Sequence, residues 1–210
     1  MAIVYPLTLP LAPTSADFTM VDFVAAEVSE FTGQEQVFEW PGKLLRARVT
    51  YAPRPWDVMA PLLSTLTALK GPVGSFLMGD PLYAKPRGDP AQGALVVDGA
   101  GQTGNRLAVR GATANAVGLF LGHDTFQLGA ALTARLYRVL NASFDVDGTG
   151  RGEIDIWPDI RESPLDGAAL VTSDPVGLFR LAGPVTQREG GRFKVGIGFE
   201  AVERLPVDAF

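Results

Sequence analysis

The chain has no cysteine. Disulfides, thiolate nucleophiles and cysteine-based zinc sites are therefore excluded, and the composition fits folding in a reducing cytoplasm. It has one histidine, His123. A lone histidine without cysteine can join neither a Cys–His pair nor a multi-histidine metal centre. Within Gly122-His123-Asp124-Thr125-Phe126 it reads as a turn leading into a strand. No apolar run approaches the roughly 20 residues of a membrane span. The apolar start, MAIVYPLTLPLAP, lacks a basic segment and is broken by Pro6, Pro10 and Pro13, so it is not read as a secretory signal. Basic charge is also scarce: 18 Lys and Arg face 23 Asp and Glu, a net charge of −5. Such a chain is poorly suited to gripping nucleic acid through phosphates. The G-x-S-x-G, P-loop and H-E-x-x-H patterns are absent as well.

What is present is turn chemistry and short apolar runs. With 24 Gly and 16 Pro among 210 residues, and 47% hydrophobic residues, the sequence predicts an ordered, β-rich fold of one large or two small domains. Residues 1–13 read as an extended, proline-interrupted arm. Its Ile3, Val4, Leu7, Leu9 and Leu11 are too apolar for water, so it docks either on its own subunit or on a neighbour. Residues 31–71 read as a strand, a tight Trp40-Pro41-Gly42 turn, a second strand and a helix, with a further turn at Thr32-Gly33. In the second strand Leu45, Ala47, Val49 and Tyr51 alternate with Leu44, Arg46, Arg48 and Thr50. That pattern predicts one buried face and one basic face, the basic face being either solvated or an interface.

The helix is predicted from Leu62, Leu63, Leu66 and Leu69, with Trp56 and Met59 extending the apolar stripe back by a turn. Gly71 is expected at C′. Pro61 is awkward, and a start with Asp57 as N-cap only relaxes the problem. Residues 73–83 read as a strand ending in a Gly79-Asp80-Pro81 turn, and 84–93 as a polar linker. From Ala94 to about Val176, short β runs separated by glycine turns predict a small antiparallel barrel or sandwich. Residues 178–182 and 192–203 return to longer strands that are expected to complete the first sheet. The division read from this is a discontinuous domain of residues 1–88 and 177–210, with residues 89–176 inserted.

Three groups of residues have a chemical reading. Gly99-Ala100-Gly101-Gln102-Thr103-Gly104 matches G-x-G-x-x-G, but the continuation has no helical stripe to receive a pyrophosphate, so a loop between strands is expected. Asp145-Val146-Asp147-Gly148-Thr149-Gly150 resembles the start of a calcium loop, but position twelve is Ile156 and the flanks read as strands, so a hairpin turn is expected. The carboxylates Glu153, Asp155, Asp159, Glu162 and Asp166 are scattered, and nothing selects a catalytic pair. Trp157, with Phe120, Phe126 and Tyr137, offers either an aromatic platform for a glycan or ordinary core. No catalytic residue, metal ligand or cofactor site is assigned.

Several segments, in order, resemble tail-tip proteins of long-tailed bacteriophages. They are YPLTLP, FTGQEQVFEWPG, LTALKG, GSFLMGDP, VDGAGQTGNRL, GLFLGHDTFQLG, TARLYRVLNASFDVDGTGRGEIDIWPDIR and DPVGLFRLAGP. They span nearly the whole chain, and the nearest likeness is to distal tail (Dit-like) proteins. The resemblance implies a tail-tube-like β-sandwich or barrel with one flanking helix and an inserted small antiparallel β domain. It implies a structural, non-enzymatic virion protein at the phage tail tip, made in the host cytoplasm. Its partners would be copies of itself in a hexameric ring, the tail-tube, baseplate-hub and tape-measure proteins, and DNA passing through the lumen without tight binding; no membrane is involved. Tube, terminator and hub proteins share that fold, and a carbohydrate-binding baseplate module is the other reading. Tyr5, Leu7, Leu9, Phe31, Gln34, Trp40, Arg46 and Arg48 are the expected interface residues, and Trp157 the glycan candidate.

Overall fold

A computed structural model of the chain describes residues 5–191 and 193–206, without the side chain of Pro41; Ile3 and Val4 of the arm lie outside the described residues. The fold is mainly β with one α-helix, as the sequence predicts. The first half supplies β1 (Leu7–Thr8), β2 (Ser15–Val28), β3 (Glu35–Pro55), α1 (Trp56–Ala68) and β4 (Phe76–Met78). Next come β5 (Gly93–Val97), β6 (Arg106–Ala112), β7 (Phe120–Leu121), β8 (Thr125–Leu128), β9 (Arg135–Val139), β10 (Ser143–Phe144) and β11 (Gly152–Trp157). The chain ends with β12 (Gly177–Leu181), β13 (Thr186–Glu189) and β14 (Lys194–Glu203).

One mixed sheet runs in the order β1-β4-β12-β14-β3-β2, with β13 also pairing β14; β1 is parallel to β4 and the other pairs are antiparallel. The period-2 pattern of β3 decides its faces. Leu45, Ala47, Val49 and Tyr51 are buried while Arg46, Arg48 and Thr50 are exposed. α1 covers the buried face through Met59, Leu62, Leu63 and Leu66, joined by Leu69 just beyond its end. Trp56 departs from the expected stripe: it is half exposed, and Asp57 and Val58 beside it are exposed too, so the packed face begins at Met59. The N-cap is Pro55 rather than Asp57, and the Trp56 amide is satisfied by the Phe193 carbonyl at 3.0 Å. Pro61 lies inside the helix on its exposed side, so its ring meets water instead of core. The helix stops at Leu69, followed by left-handed Lys70 and Gly71, one residue later in the cap than expected for the glycine.

The arm docks on its own subunit. Leu7 and Thr8 pair with Phe76 and Leu77, Tyr5 Oη donates to the Ala68 carbonyl at 2.9 Å, and the Leu11 carbonyl accepts from Tyr51 Oη at 3.0 Å.

The second sheet, β5-β6-β11-β9-β8, is antiparallel and curls into a half-barrel. Residues 168–171 reach from its first strand to its last, bonding Leu95 and Val97 on one side and Gln127 on the other. A second core fills it, built on Leu107, Val109, Phe120, Phe126, Phe144 and Ile154. Residues 84–93 are held in place: the Arg87 and Gly88 amides both donate to the buried Asp124 carboxylate at 2.9 Å.

Candidate assembly site

The largest departure from the sequence reading is at Trp40-Pro41-Gly42, which is not a turn. β3 runs through it for 21 residues. Asp22 pairs with Lys43 and Val24 with Glu39, so Phe23 alone faces Trp40, Pro41 and Gly42 in a β-bulge. Proline is tolerated there because a bulged position owes no amide to the ladder. A glycine at 42 lets the Phe23 ring lie against the backbone, since a Cβ there would be 2.6 Å from the ring and would push it aside. The chain reverses instead at Ser29–Gln34, where left-handed Gly33 donates to the Ser29 carbonyl at 2.9 Å.

Beyond the bulge, β2 and β3 have no other sheet neighbour among the described residues, since β14 pairs β3 only from Arg46 onward. This two-stranded ribbon projects by about 20 Å at strand rise. Every residue from 26 to 40 is exposed. Phe23, Val24, Val28, Val37 and Phe38 lie open, Trp40 is 55% exposed and Phe31 99% exposed. The ribbon also carries Glu27, Glu30, Glu35 and Glu39 without a single Lys, Arg or His between residues 23 and 40.

The half-barrel grips the root of the ribbon on both strands. Trp157 Nε1 donates to Asp22 at 2.9 Å, and Lys43 pairs with Asp159 at 3.1 Å. Arg161 donates to the Lys43 carbonyl and pairs with Glu203 at 3.0 Å, both side chains being almost fully buried. A second junction pair joins Arg138 to Asp80 at 3.2 Å, with the guanidinium stacked 4.8 Å above the Tyr83 ring. Burial pushes the Asp80 carboxyl above its ordinary range, opposed by the Leu82 amide and by Arg138.

The sheet face opposite α1 forms a shallow hollow of about 730 Å³. Its charged lining is Arg46, Arg48, Arg180, Asp17 and Glu200, net +1 on a chain of net −5. Arg48 is paired with Glu200 at 2.7 Å, which raises its pKa. Arg46 and Arg180 are in no ion pair among the described residues.

The expected interface residues thus fall into three groups. Phe31, Gln34 and Trp40 lie on the exposed ribbon, and Arg46 and Arg48 on the hollow face. Tyr5, Leu7 and Leu9 are packed against their own core. Trp157 is corrected as a glycan candidate: it is 8% exposed and part of the first core, and Phe120, Phe126 and Tyr137 are buried too, so none of these four rings offers an open face to a sugar. The bulge and the Trp157–Asp22 clamp were missed by sequence reasoning. The only local signal for the bulge was a Trp-Pro-Gly triplet inside an otherwise alternating strand.

The remaining motifs lie in loops and turns that are bonded within the chain. The Gly99–Gly104 loop joins β5 to β6 and wraps Gln102, whose amide bonds the Asp98, Gly99 and Ala108 carbonyls and the Ala108 amide. Asp147 accepts from Thr149 and the Arg151 amide, and Asp145 from the Gly118 amide and Ser143; these bonds hold both carboxyls below their ordinary range. Glu153 and Asp155 face Arg106, Glu162 faces Arg135 and Asp166 faces Arg110, so each carboxylate meets a cation of its own chain. His123 sits in a left-handed turn, its Nδ1 3.4 Å from Arg138. A scan against protein-family models and a search of curated proteins both returned no match for this chain.

Proposed function

We propose that this chain is a structural ring subunit of a phage tail tip, of the distal-tail kind, joining tail tube to baseplate hub without enzymatic activity. The observation that carries this is the ribbon beyond the bulge. It exposes three phenylalanines, a tryptophan and several valines on a two-stranded element, and such an element is at best marginally stable in water by itself. Each large apolar side chain covered by a partner contributes about 1.5–3 kcal/mol, so the ribbon is built to be covered. A ring subunit needs two different contact surfaces because its interface closes by rotation, and the ribbon and the hollow face supply two. The ordered resemblance to tail-tip proteins supports the same reading, with tube, hub and tape-measure proteins as partners, DNA passing through the lumen, and residues 1–88 with 177–210 as the ring-forming part. Native mass spectrometry with negative-stain imaging tests it. A closed oligomer, six-fold by the resemblance, is expected. A strict monomer with affinity for neither tube nor hub protein overturns it.

A further inference from the structure

We infer that the hollow on the sheet face opposite α1 is the receptor for the acidic ribbon of a second copy of this chain. The inference rests on the ring reading, and it names which two surfaces meet. The ribbon is acidic and apolar, and the hollow is the complement. Pairing of Val24 with Glu39, Ala26 with Val37 and Val28 with Glu35 puts these six side chains on one ribbon face. That face is an apolar strip with a glutamate at each end, the two separated by four residues, or about 13 Å. Across the hollow, Arg46 pairs with Val202 and Val202 with Arg180. Two unpaired guanidiniums therefore flank a valine, two strand spacings or about 10 Å apart. Val21 and Leu44 continue the apolar floor beside them. Long arginine side chains take up the small difference in spacing, so the two glutamates meet the two arginines over a floor in which Val202 is already largely covered. The neighbouring Arg48 and Glu200 already satisfy one another, which leaves Arg46 and Arg180 as the cations of the hollow in no ion pair among the described residues.

A chain's own ribbon cannot fill its own hollow. It continues β2 and β3 past the bulge, and Asp22 and Lys43 at its root are held by Trp157 and Asp159. The contact is therefore between copies and heterologous, ribbon of one to hollow of the next.

Reciprocal charge reversal tests this. One variant carries Glu35→Lys with Glu39→Lys, and the other Arg46→Glu with Arg180→Glu. Each variant alone should self-associate about a hundredfold more weakly than wild type, because like charges then face each other. An equimolar mixture should assemble again with the two variants alternating, read by native mass spectrometry of mass-tagged chains. Recovery in the mixture also shows that both variants fold. Oligomers that form from either variant alone as well as from wild type overturn the docking while leaving the ring intact, and so does a mixture that stays dissociated while wild type assembles. A wild-type chain that remains monomeric overturns both readings and assigns the ribbon to a different protein.

Discussion

Gly42 and Phe23 set the geometry of the ribbon root. The Phe23 ring occupies the space a Cβ would need at residue 42, so Gly42→Val should displace it and disturb the bulge. The ring is 41% exposed and can swing outward, so the cost should be no more than about 1 kcal/mol, a small shift in a thermal melt accompanied by faster hydrogen exchange at residues 24–38. Two tyrosines set an alkaline limit. Burial pushes both Tyr51 and Tyr137 up to about 12. The unfolded phenol ionises near pH 10. Their contribution to stability is therefore complete below about pH 10 and is lost as pH rises through about 12. Tyr137→Phe should keep more of its neutral-pH stability over that window than wild type does, checked by thermal melts across pH and by tyrosinate absorbance. At this scale little was legible from sequence. That Glu203 would be buried against Arg161, or Asp22 reach Trp157, depends on residues 42 and 135 positions apart meeting in space.

α1 and the β2–β3 ribbon are opposite cases among the elements. The leucine spacing of α1 was readable because a helix that packs on a sheet must repeat its apolar face every three or four residues. Leu66 is 2% exposed beneath it, and Leu66→Asp should prevent folding, since a buried unpaired charge costs more than the few kcal/mol that hold most domains; circular dichroism would show the loss. Local chemistry misled at Trp40-Pro41-Gly42, because turn-forming residues also suit a bulge, and only the pairing on both sides tells the two apart. The ribbon adds no buried residue to either core. Joining Val24 to Glu39 through Asn-Gly should leave the melting temperature within a few degrees of wild type and abolish the oligomer seen by light scattering.

Across the whole molecule, the basic face of β3 was legible from alternation alone, whereas the complementarity proposed between ribbon and hollow depends on register, which places Arg180 beside Val202 and Val202 beside Arg46. Arg46→Glu with Arg48→Glu removes one exposed ion pair, worth about 0–1 kcal/mol, and sets a carboxylate at position 48 opposite Glu200 and Asp17, exposed cross-strand repulsions of about 0.2–1 kcal/mol each. The variant should therefore melt close to wild type yet fail to assemble, a separation that sedimentation velocity measures directly. The mainly β class and the single helix followed from periodicity and glycine-rich turns. The strand order could not, because β4 and β12 lie side by side although about a hundred residues of chain separate them.

That adjacency makes the half-barrel an exchangeable cassette. Met78 and Gly177 are paired across neighbouring antiparallel strands, so the chain leaves and re-enters the first sheet at one point, and a two-residue hairpin could bridge the gap. Excising the cassette would not sever the sheet, but it would strip Glu203 of Arg161 and uncover the places where Leu136 and Trp157 enter the first core. A trimmed chain would need Glu203 replaced by an apolar residue at the same time, because a buried carboxylate left without its cation costs about 3–5 kcal/mol. Any different domain spliced into that port would have to bring its own cation to the same spot.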